Sequence, residues 1–431
     1  MKILIIYRHF WPDSPPYASM LRSISARLAA EGHDVTIWAE MPCYKLSDGS
    51  LSPSRREVID GVNVERFRRL PFWSRSGLVR TLAKLAFVPR ILVKTLTARA
   101  AGYDFDLVWT ATIPPVLQGW CGRIVARLFG SQFLYHCQDL YPELAEHMGM
   151  ITQEGALSRM ARAIERRNRE RADLLVTLSE DMRTTVTALA EPRRTVIINN
   201  FLLEDFGASK ESEPAAHETA ETNRPDLSFP VAVAGESSDE EALDIIFAGN
   251  MGQFQGLTEF LQGFIATATE TPVRLTFMGD GKAAADLRQL AKDDPRVRFI
   301  PQLPFEEAKE IIAQYDFGLI SLEPGIHRYA FPSKTLTYLG LGLPIIALVE
   351  EDSDLGRLVR DARVGMVIGK RDEPSIAAAI ETLAQRSAVH SEERGRVLSL
   401  YSEAYSREAR LDQWVAAIEQ LGSAPLRSRA K

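Results

Sequence analysis

The chain has 431 residues, 45% hydrophobic and 25% charged, the balance of a globular protein with apolar material for two full cores. Its formal net charge of −6 supplies no general positive field for nucleic acid, which is excluded as a partner. Three cysteines, Cys43, Cys121 and Cys137, form no CxxC pair, and no histidines stand at metal spacing, so the thiols read as reduced and structural and no metal is expected.

The opening MKILIIYRHF has too short an apolar run for a secretory signal. No stretch of about 18 apolar residues lacks a charge, so any membrane contact is expected to be peripheral, on the cytoplasmic side. Lys2–Tyr7 reads as a strand buried on both faces. Ser14 and Pro15 can open a helix, Ser as N-cap and Pro at the first helical position, with Met20, Leu21, Ile24, Leu28 and Ala29 at helical spacing until Gly32 stops it. His33–Ala39 is the next strand.

From Arg66 to Arg99 there is no acid. Arg75, Arg80, Lys84, Arg90 and Lys94 alternate there with aromatic and aliphatic residues, a basic amphipathic stretch suited to anionic lipid headgroups. The alternation then resumes with strand Leu107–Thr110, helix Val116–Leu128, strand Gln132–Cys137, helix Ala156–Arg171, strand Leu174–Leu178, helix Asp181–Leu189 and strand Val196–Ile198. The bases of Arg159–Arg171 are offset by Glu165 and Glu170, as on a salt-bridged face. Strand–helix alternation implies a parallel sheet covered on both sides.

Residues 204–241 break the rhythm with many acids against Lys210 and Arg224, and read as a flexible acidic insertion. Beyond it come strands at Asp244–Ala248, Val273–Met278, Val297–Ile300, Phe317–Ser321 and Leu343–Val349, separated by helices. The expected organisation is therefore α/β, with two doubly wound Rossmann-like domains facing each other across a cleft. Residues 1–203 form the first domain and 242–404 the second. Residues 405–431 form a helix containing Trp414, long enough to cross back, and a tail.

The second domain opens with glycines 249, 252 and 256 between a strand end and a helix start, where backbone N–H groups can hold a diphosphate; the same spacing also suits a bare tight turn. Met278-Gly279-Asp280-Gly281 follows the next strand in the equivalent place. In Phe331-Pro332-Ser333-Lys334, Ser333 can cap a helix and Lys334 sets a cation at its start, a position that favours a bound anion. Arg328 or His327 can assist it. In the first domain, Asp139 can either orient an acceptor or cap a helix, and His136 reads as a satisfied strand histidine.

These motifs, in this order, resemble glycosyltransferase family 4, the retaining enzymes of GT-B fold, and most closely the bacterial branch that builds O-antigen, capsule and colanic-acid-type polysaccharides. The resemblance rests on His9-Phe10-Trp11-Pro12, Gly32–Thr36, Ile113-Pro114-Pro115, Gln138-Asp139-Leu140-Tyr141-Pro142-Glu143, Gly249–Gly252 with Gln255-Gly256, and Pro332-Ser333-Lys334. It implies a nucleotide-sugar donor, UDP- or GDP-linked, bound by the second domain at Gly249, Asn250, Gly252, Gln255, Gly256, Gly279, Asp280, Ser333 and Thr337. It implies a polyprenyl-diphosphate-linked acceptor bound by the first at His9, Tyr17 and Glu143, with Asp139, Lys334 and Arg328 as catalytic groups. No cofactor or metal is implied. Three departures stand out. Asn250 and Gln255 replace an Arg and a Lys of many members, Pro15-Pro16 replaces a glycine pair, and Thr337 replaces the Glu that binds the donor ribose. The last leaves open weaker donor binding, a different donor or lost activity, and hence a non-catalytic scaffold; a nucleotide-sugar epimerase of the same fold is the other alternative.

Overall fold

A computed structural model describes residues 1–13, 15–42, 53–68, 86–203, 242–269, 271–385 and 390–423. It divides into two units. The first comprises Met1–Leu203 with Gly325–Phe331 and Arg407–Lys431, the second Glu204–Pro324 with Pro332–Ser406.

In the first unit the elements run β1 (Lys2–Ile6), α1 (Pro16–Ala30), β2 (Asp34–Glu40), β3 (Arg56–Ile59), β4 (Val62–Phe67), α2 (Phe87–Ala100), β5 (Leu107–Ala111), α3 (Leu117–Phe129), β6 (Gln132–His136), α4 (Glu143–His147), α5 (Ala156–Arg171), β7 (Leu174–Thr177), α6 (Glu180–Leu189) and β8 (Thr195–Ile197). They build an eight-stranded sheet of order β3-β4-β2-β1-β5-β6-β7-β8, parallel except for the β3–β4 edge hairpin. Alternate residues of β1 enter different layers, which is why the strand shows no polar face. Ile3 and Ile5 join Trp109 and α1. Leu4 and Ile6 join Val108, Phe133 and α3.

The chain's last helix also belongs to this unit. Trp414 stacks on Trp109 of β5 with ring centres 4.5 Å apart and meets His136 edge-on at 4.9 Å. Arg27 of α1 bonds Asp412 at 2.9 Å, and Gln132 donates to the Leu421 carbonyl at 3.0 Å.

The second unit contains β9 (Leu243–Ala248), α7 (Leu257–Ala266), β10 (Val273–Met278), α8 (Ala284–Ala291), β11 (Val297–Ile300), α9 (Phe305–Ile312), β12 (Phe317–Ser321), α10 (Lys334–Gly340), β13 (Ile345–Leu348), α11 (Asp354–Asp361), β14 (Gly365–Ile368), α12 (Glu373–Ala384) and α13 (His390–Leu400). A π-turn at Tyr401–Tyr405 leads out to the last helix, α14 (Arg407–Gly422). Its sheet is wholly parallel, of order β11-β10-β9-β12-β13-β14. Successive strands run one way from β9 and the other way from β12. The order therefore reverses between them, and their carboxyl ends mark the crevice where open α/β sheets bind ligands.

Several boundaries differ from the sequence reading. Helix α1 starts at Pro16, with Pro15 in the capping position and no side-chain cap. Arg66 and Phe67 end strand β4 rather than opening the basic amphipathic stretch, and the Arg66 side chain is wholly buried against Glu57.

Candidate active site

In the second unit, the loops after β9 and β10 are laced together by backbone hydrogen bonds. Gly249 N–H donates to the Met278 carbonyl at 2.8 Å, and Met251 N–H to that of Asp280 at 2.8 Å. A Cβ at Gly279 would stand 2.2 Å from the Gly249 carbonyl oxygen, so this glycine is required by loop packing before any ligand is considered. Asp280 is exposed and accepts from the Gly281 N–H at 2.8 Å. Asn250 is exposed, whereas Gln255 buries its Oε1 with no hydrogen-bond donor among the described residues.

Lys334 begins α10, a helix of 7 residues. Ser333 before it has helical backbone angles and its side chain makes no capping bond, so the cap expected from sequence is not formed. The lysine folds back beneath Gly249: its Cε is 3.1 Å from the point where a Cβ on that glycine would be. Nζ lies 4.5 Å from the centre of the Phe247 ring and pairs with no carboxylate among the described residues. Burial lowers its pKa to about 8. A cation held mainly by a ring face and partly withdrawn from water is an expensive arrangement that an anion would relieve.

A second cation stands nearby, one the motifs did not reveal. Gly256 precedes α7 in a left-handed conformation with φ 53°, and a Cβ there would lie 1.8 Å from Nη2 of Arg371. Arg371 Nη1 donates to the Leu322 carbonyl at 2.8 Å, just past the end of β12. Its Nε and Nη2 are buried without an acceptor among the described residues. Glu323 also approaches, with Oε1 3.3 Å from the same Cβ point. The residue at 256 must therefore lack a side chain for this guanidinium to reach the glycine turn. Arg371 lies far along the chain from that turn, and only the left-handed glycine hinted at a close neighbour. Thr337 is partly exposed on α10.

In the first unit, the loop after β1 carries His9, whose Nδ1 is 2.6 Å from Asp13 Oδ2, both groups buried. The Tyr17 hydroxyl is 2.8 Å from His136 Nδ1, and Gln138 Nε2 is 2.9 Å from His136 Nε2. Burial pushes His136 down to about 3, so it stays neutral at physiological pH, the satisfied strand histidine of the sequence reading. Asp139 does not cap α4, which Pro142 precedes. It forms a backbone bridge with Ala330, and Leu140 N–H donates to the Tyr329 carbonyl at 2.8 Å, so the segment carrying Arg328 is fastened to the Asp139 loop. Burial raises the Asp139 carboxyl to about 6. Arg328 itself is exposed. Glu143 is turned away from solvent: both its oxygens accept from Arg169, at 3.0 and 2.8 Å.

Of the residues expected to dock on lipid, Arg90 and Lys94 are placed differently from the sequence picture. Arg75, Arg80 and Lys84 lie outside the described residues. Arg90 Nη1 bonds Glu40 at 3.1 Å, and Lys94 pairs with Glu65 while lying 4.9 Å from the Trp38 ring. Acids from β2 and β4 thus occupy these two bases, which a local charge count could not show.

The Glycosyl transferase 4-like domain model matches residues 17–200, and the Glycosyl transferases group 1 model matches residues 242–386. The chain is a family 4-like glycosyltransferase. WbjE of Pseudomonas aeruginosa, assigned as a glycosyltransferase, is 25% identical over 382 residues, covering 88% of this chain and 89% of WbjE. WcaI of Escherichia coli K12, assigned as a colanic acid biosynthesis glycosyl transferase, is 21% identical over 365 residues, covering 83% and 86%. Among solved structures, HepE of Anabaena in complex with UDP superposes with a TM-score of 0.66 at 14% identity, covering 97% of this chain and all of that one, a likeness of fold. The family 4-like glycosyltransferase described here has the two Rossmann-like sheets of the GT-B class. Among its described residues no helix is long and apolar enough to cross a membrane.

Proposed function

We propose that this glycosyltransferase moves a sugar, with retention and without a metal, from a nucleoside diphosphate to a saccharide carried on a polyprenyl diphosphate. Its setting is surface polysaccharide assembly at the inner face of the cytoplasmic membrane. The observation that carries the reading is Lys334, a half-buried, desolvated cation with no carboxylate partner among the described residues, lying beneath the Gly249 turn at the sheet's switch point. The likeness to WcaI, assigned to colanic acid biosynthesis, supports the polysaccharide setting. HepE, crystallised with UDP-glucose, supports a nucleotide-sugar donor.

In this reading the glycine turn with Asn250 and Gln255 receives the diphosphate on the second unit. Lys334 stabilises the negative charge that develops as the bond from the anomeric carbon to the phosphate oxygen breaks. Arg371 adds a second positive group under the turn, in place of the bases that Asn250 and Gln255 lack. The acceptor hydroxyl bonds to the anomeric carbon from the face the diphosphate leaves, and its proton departs with a phosphate oxygen. Asp139 orients a sugar hydroxyl through its carboxylate, with Arg328 alongside on the bridged segment. Tyr17 and His9, each held by a buried partner, shape the acceptor side.

Two results are expected. Asp139 works as the carboxylate, and its carboxyl titrates at about 6, so kcat/KM should fall as the pH drops through that value. Asp139→Asn should be slow throughout and lack this acid limb; a limb that survives the substitution belongs to another group. Thr337→Glu restores a charged ribose acceptor and should tighten donor binding about tenfold, roughly 1–2 kcal/mol. Calorimetry would show it, and weaker binding would mean that the ribose lies elsewhere. The overall assignment is tested by incubating the full chain with UDP- and GDP-sugars and a short-chain polyprenyl-diphosphate saccharide. Release of nucleoside diphosphate with a lengthened saccharide supports it. A chain that binds no nucleotide would instead be a scaffold, the alternative that Thr337 brings forward.

A further inference from the structure

Helices α3 and α5 pack side by side on one face of the first unit's sheet. They are pinned together by Arg123 Nε donating to Asn168 Oδ1 at 3.1 Å and by Asn168 Nδ2 donating to the Val116 carbonyl at 3.1 Å. Along α5, Leu157, Met160, Ile164, Arg167 and Arg171 recur every three or four residues and form one stripe. At its head Leu157 is 61% and Met160 56% exposed, and Met150, just before the helix, is 66% exposed. At its tail Arg167 and Arg171 are exposed, and across the seam stands exposed Arg127 of α3.

The local acids do not balance these cations. Glu165 points inward, 3.6 Å from Arg169, and Glu170 pairs with Arg166 at 3.7 Å. Glu146 is taken by Arg162. Among the described residues no carboxylate forms an ion pair with Arg123, Arg127, Arg167 or Arg171. Burial, and then repulsion from Arg167, Arg171 and Arg127, lowers the pKa of Arg123. Four like charges gathered without counterions, in a protein of net charge −6, mark a surface that is completed by an anion.

We propose that the outer face shared by α3 and α5 docks on a membrane containing anionic lipid, with Leu157 and Met160 entering the headgroup layer and the arginines at 123, 127, 167 and 171 meeting lipid phosphates. The exposed non-polar residues are aliphatic and offer no aromatic platform for base stacking, which separates this partner from single-stranded nucleic acid, while aliphatic side chains beside unpaired arginines suit a headgroup boundary. The proposal supplies a docking face that Arg90 and Lys94, engaged with Glu40 and Glu65, do not offer. It is linked to the lipid-borne acceptor of the proposed function, but the measurement does not depend on that acceptor.

The test is flotation of the full chain with vesicles of phosphatidylcholine alone or mixed with phosphatidylglycerol. The native chain should float only with the mixture, and less at high salt. Arg167→Glu with Arg171→Glu should weaken partitioning by about tenfold or more. Leu157→Ser with Met160→Ser should also weaken it at unchanged net charge. Thermal unfolding at the native chain's midpoint should show that both double variants are folded. Flotation of both double variants equal to the native chain's would overturn the proposal. So would release by Arg75→Glu, Arg80→Glu and Lys84→Glu alone, or binding to duplex DNA as tight as to the vesicles. A chain that docks through this face yet transfers no sugar to a lipid-borne acceptor would refute the acceptor reading and leave the docking face standing.

Discussion

Lys334→Ala should lower turnover by about a hundredfold or more, the loss seen when one group that stabilises developing charge is removed. A structural lysine would give a different signature. Lys334 is half-buried, desolvation lowers its pKa to about 8, and its charge is met by the Phe247 ring rather than by a carboxylate among the described residues. Keeping it protonated therefore works against folding. The folded state binds fewer protons than the unfolded state between about 8 and the lysine's ordinary value, so this group's contribution to stability grows as pH rises through that window and is lost as pH falls through about 8. Lys334→Met should remove this pH dependence and leave the fold at least as stable near neutrality, while activity collapses. Thermal unfolding at several pH values, set beside steady-state rates, checks both halves. A variant that is both active and unstable would make Lys334 a packing residue.

Arg169→Ala is expected to destabilise the protein by about 3–5 kcal/mol, because it leaves buried acids without their partner. Arg169 is 1% exposed and holds Glu143 through two hydrogen bonds, Glu165 at 3.6 Å and the Tyr141 carbonyl at 3.0 Å. Burial opposes its charge, yet Glu165 and Glu143 together raise its pKa. The Glu143 and Tyr141 contacts fasten the loop that begins at Asp139 to α5. The damage should therefore extend to that loop and depress activity as well as stability. Glu143→Gln keeps an acceptor on Arg169 and should cost far less. Urea unfolding of the two variants would separate them; equal costs would show that the Glu143 charge alone, and neither Glu165 nor the retained acceptor, holds the clamp.

Much of the architecture was legible because it is written locally. The strands read from sequence between Lys2 and Ile198 and between Asp244 and Val349 are short apolar runs alternating with helical periods, and the phosphate-side motif around Lys334 is contiguous, whereas the β3–β4 edge hairpin and β14, which stand outside that alternation, were not legible. Features fixed by partners distant in sequence were not legible. Glu143 looked like an acceptor ligand because Arg169, which takes both its oxygens, lies on another element. Arg90 and Lys94 looked free because Glu40 and Glu65 come from neighbouring strands. The bases of α5 looked neutralised because Glu165 sits at salt-bridge spacing, yet its carboxylate faces the core. Arg371 left no motif at all; only the left-handed Gly256 betrayed a close neighbour.

The claim on which the account rests is that a diphosphate sits on the Gly249 turn against Lys334. Calorimetry of UDP binding at pH 8, in buffers of different ionisation enthalpy, tests it by counting protons. At that pH Lys334 is about half protonated, while the terminal phosphate, with a second pKa of about 6, is already ionised. Diphosphate contact would raise the lysine's pKa, so binding should take up about half a proton in the native chain and none in Lys334→Met, which should also bind more weakly. Binding without proton uptake, or unchanged by Lys334→Met, would place the diphosphate elsewhere and contradict the account.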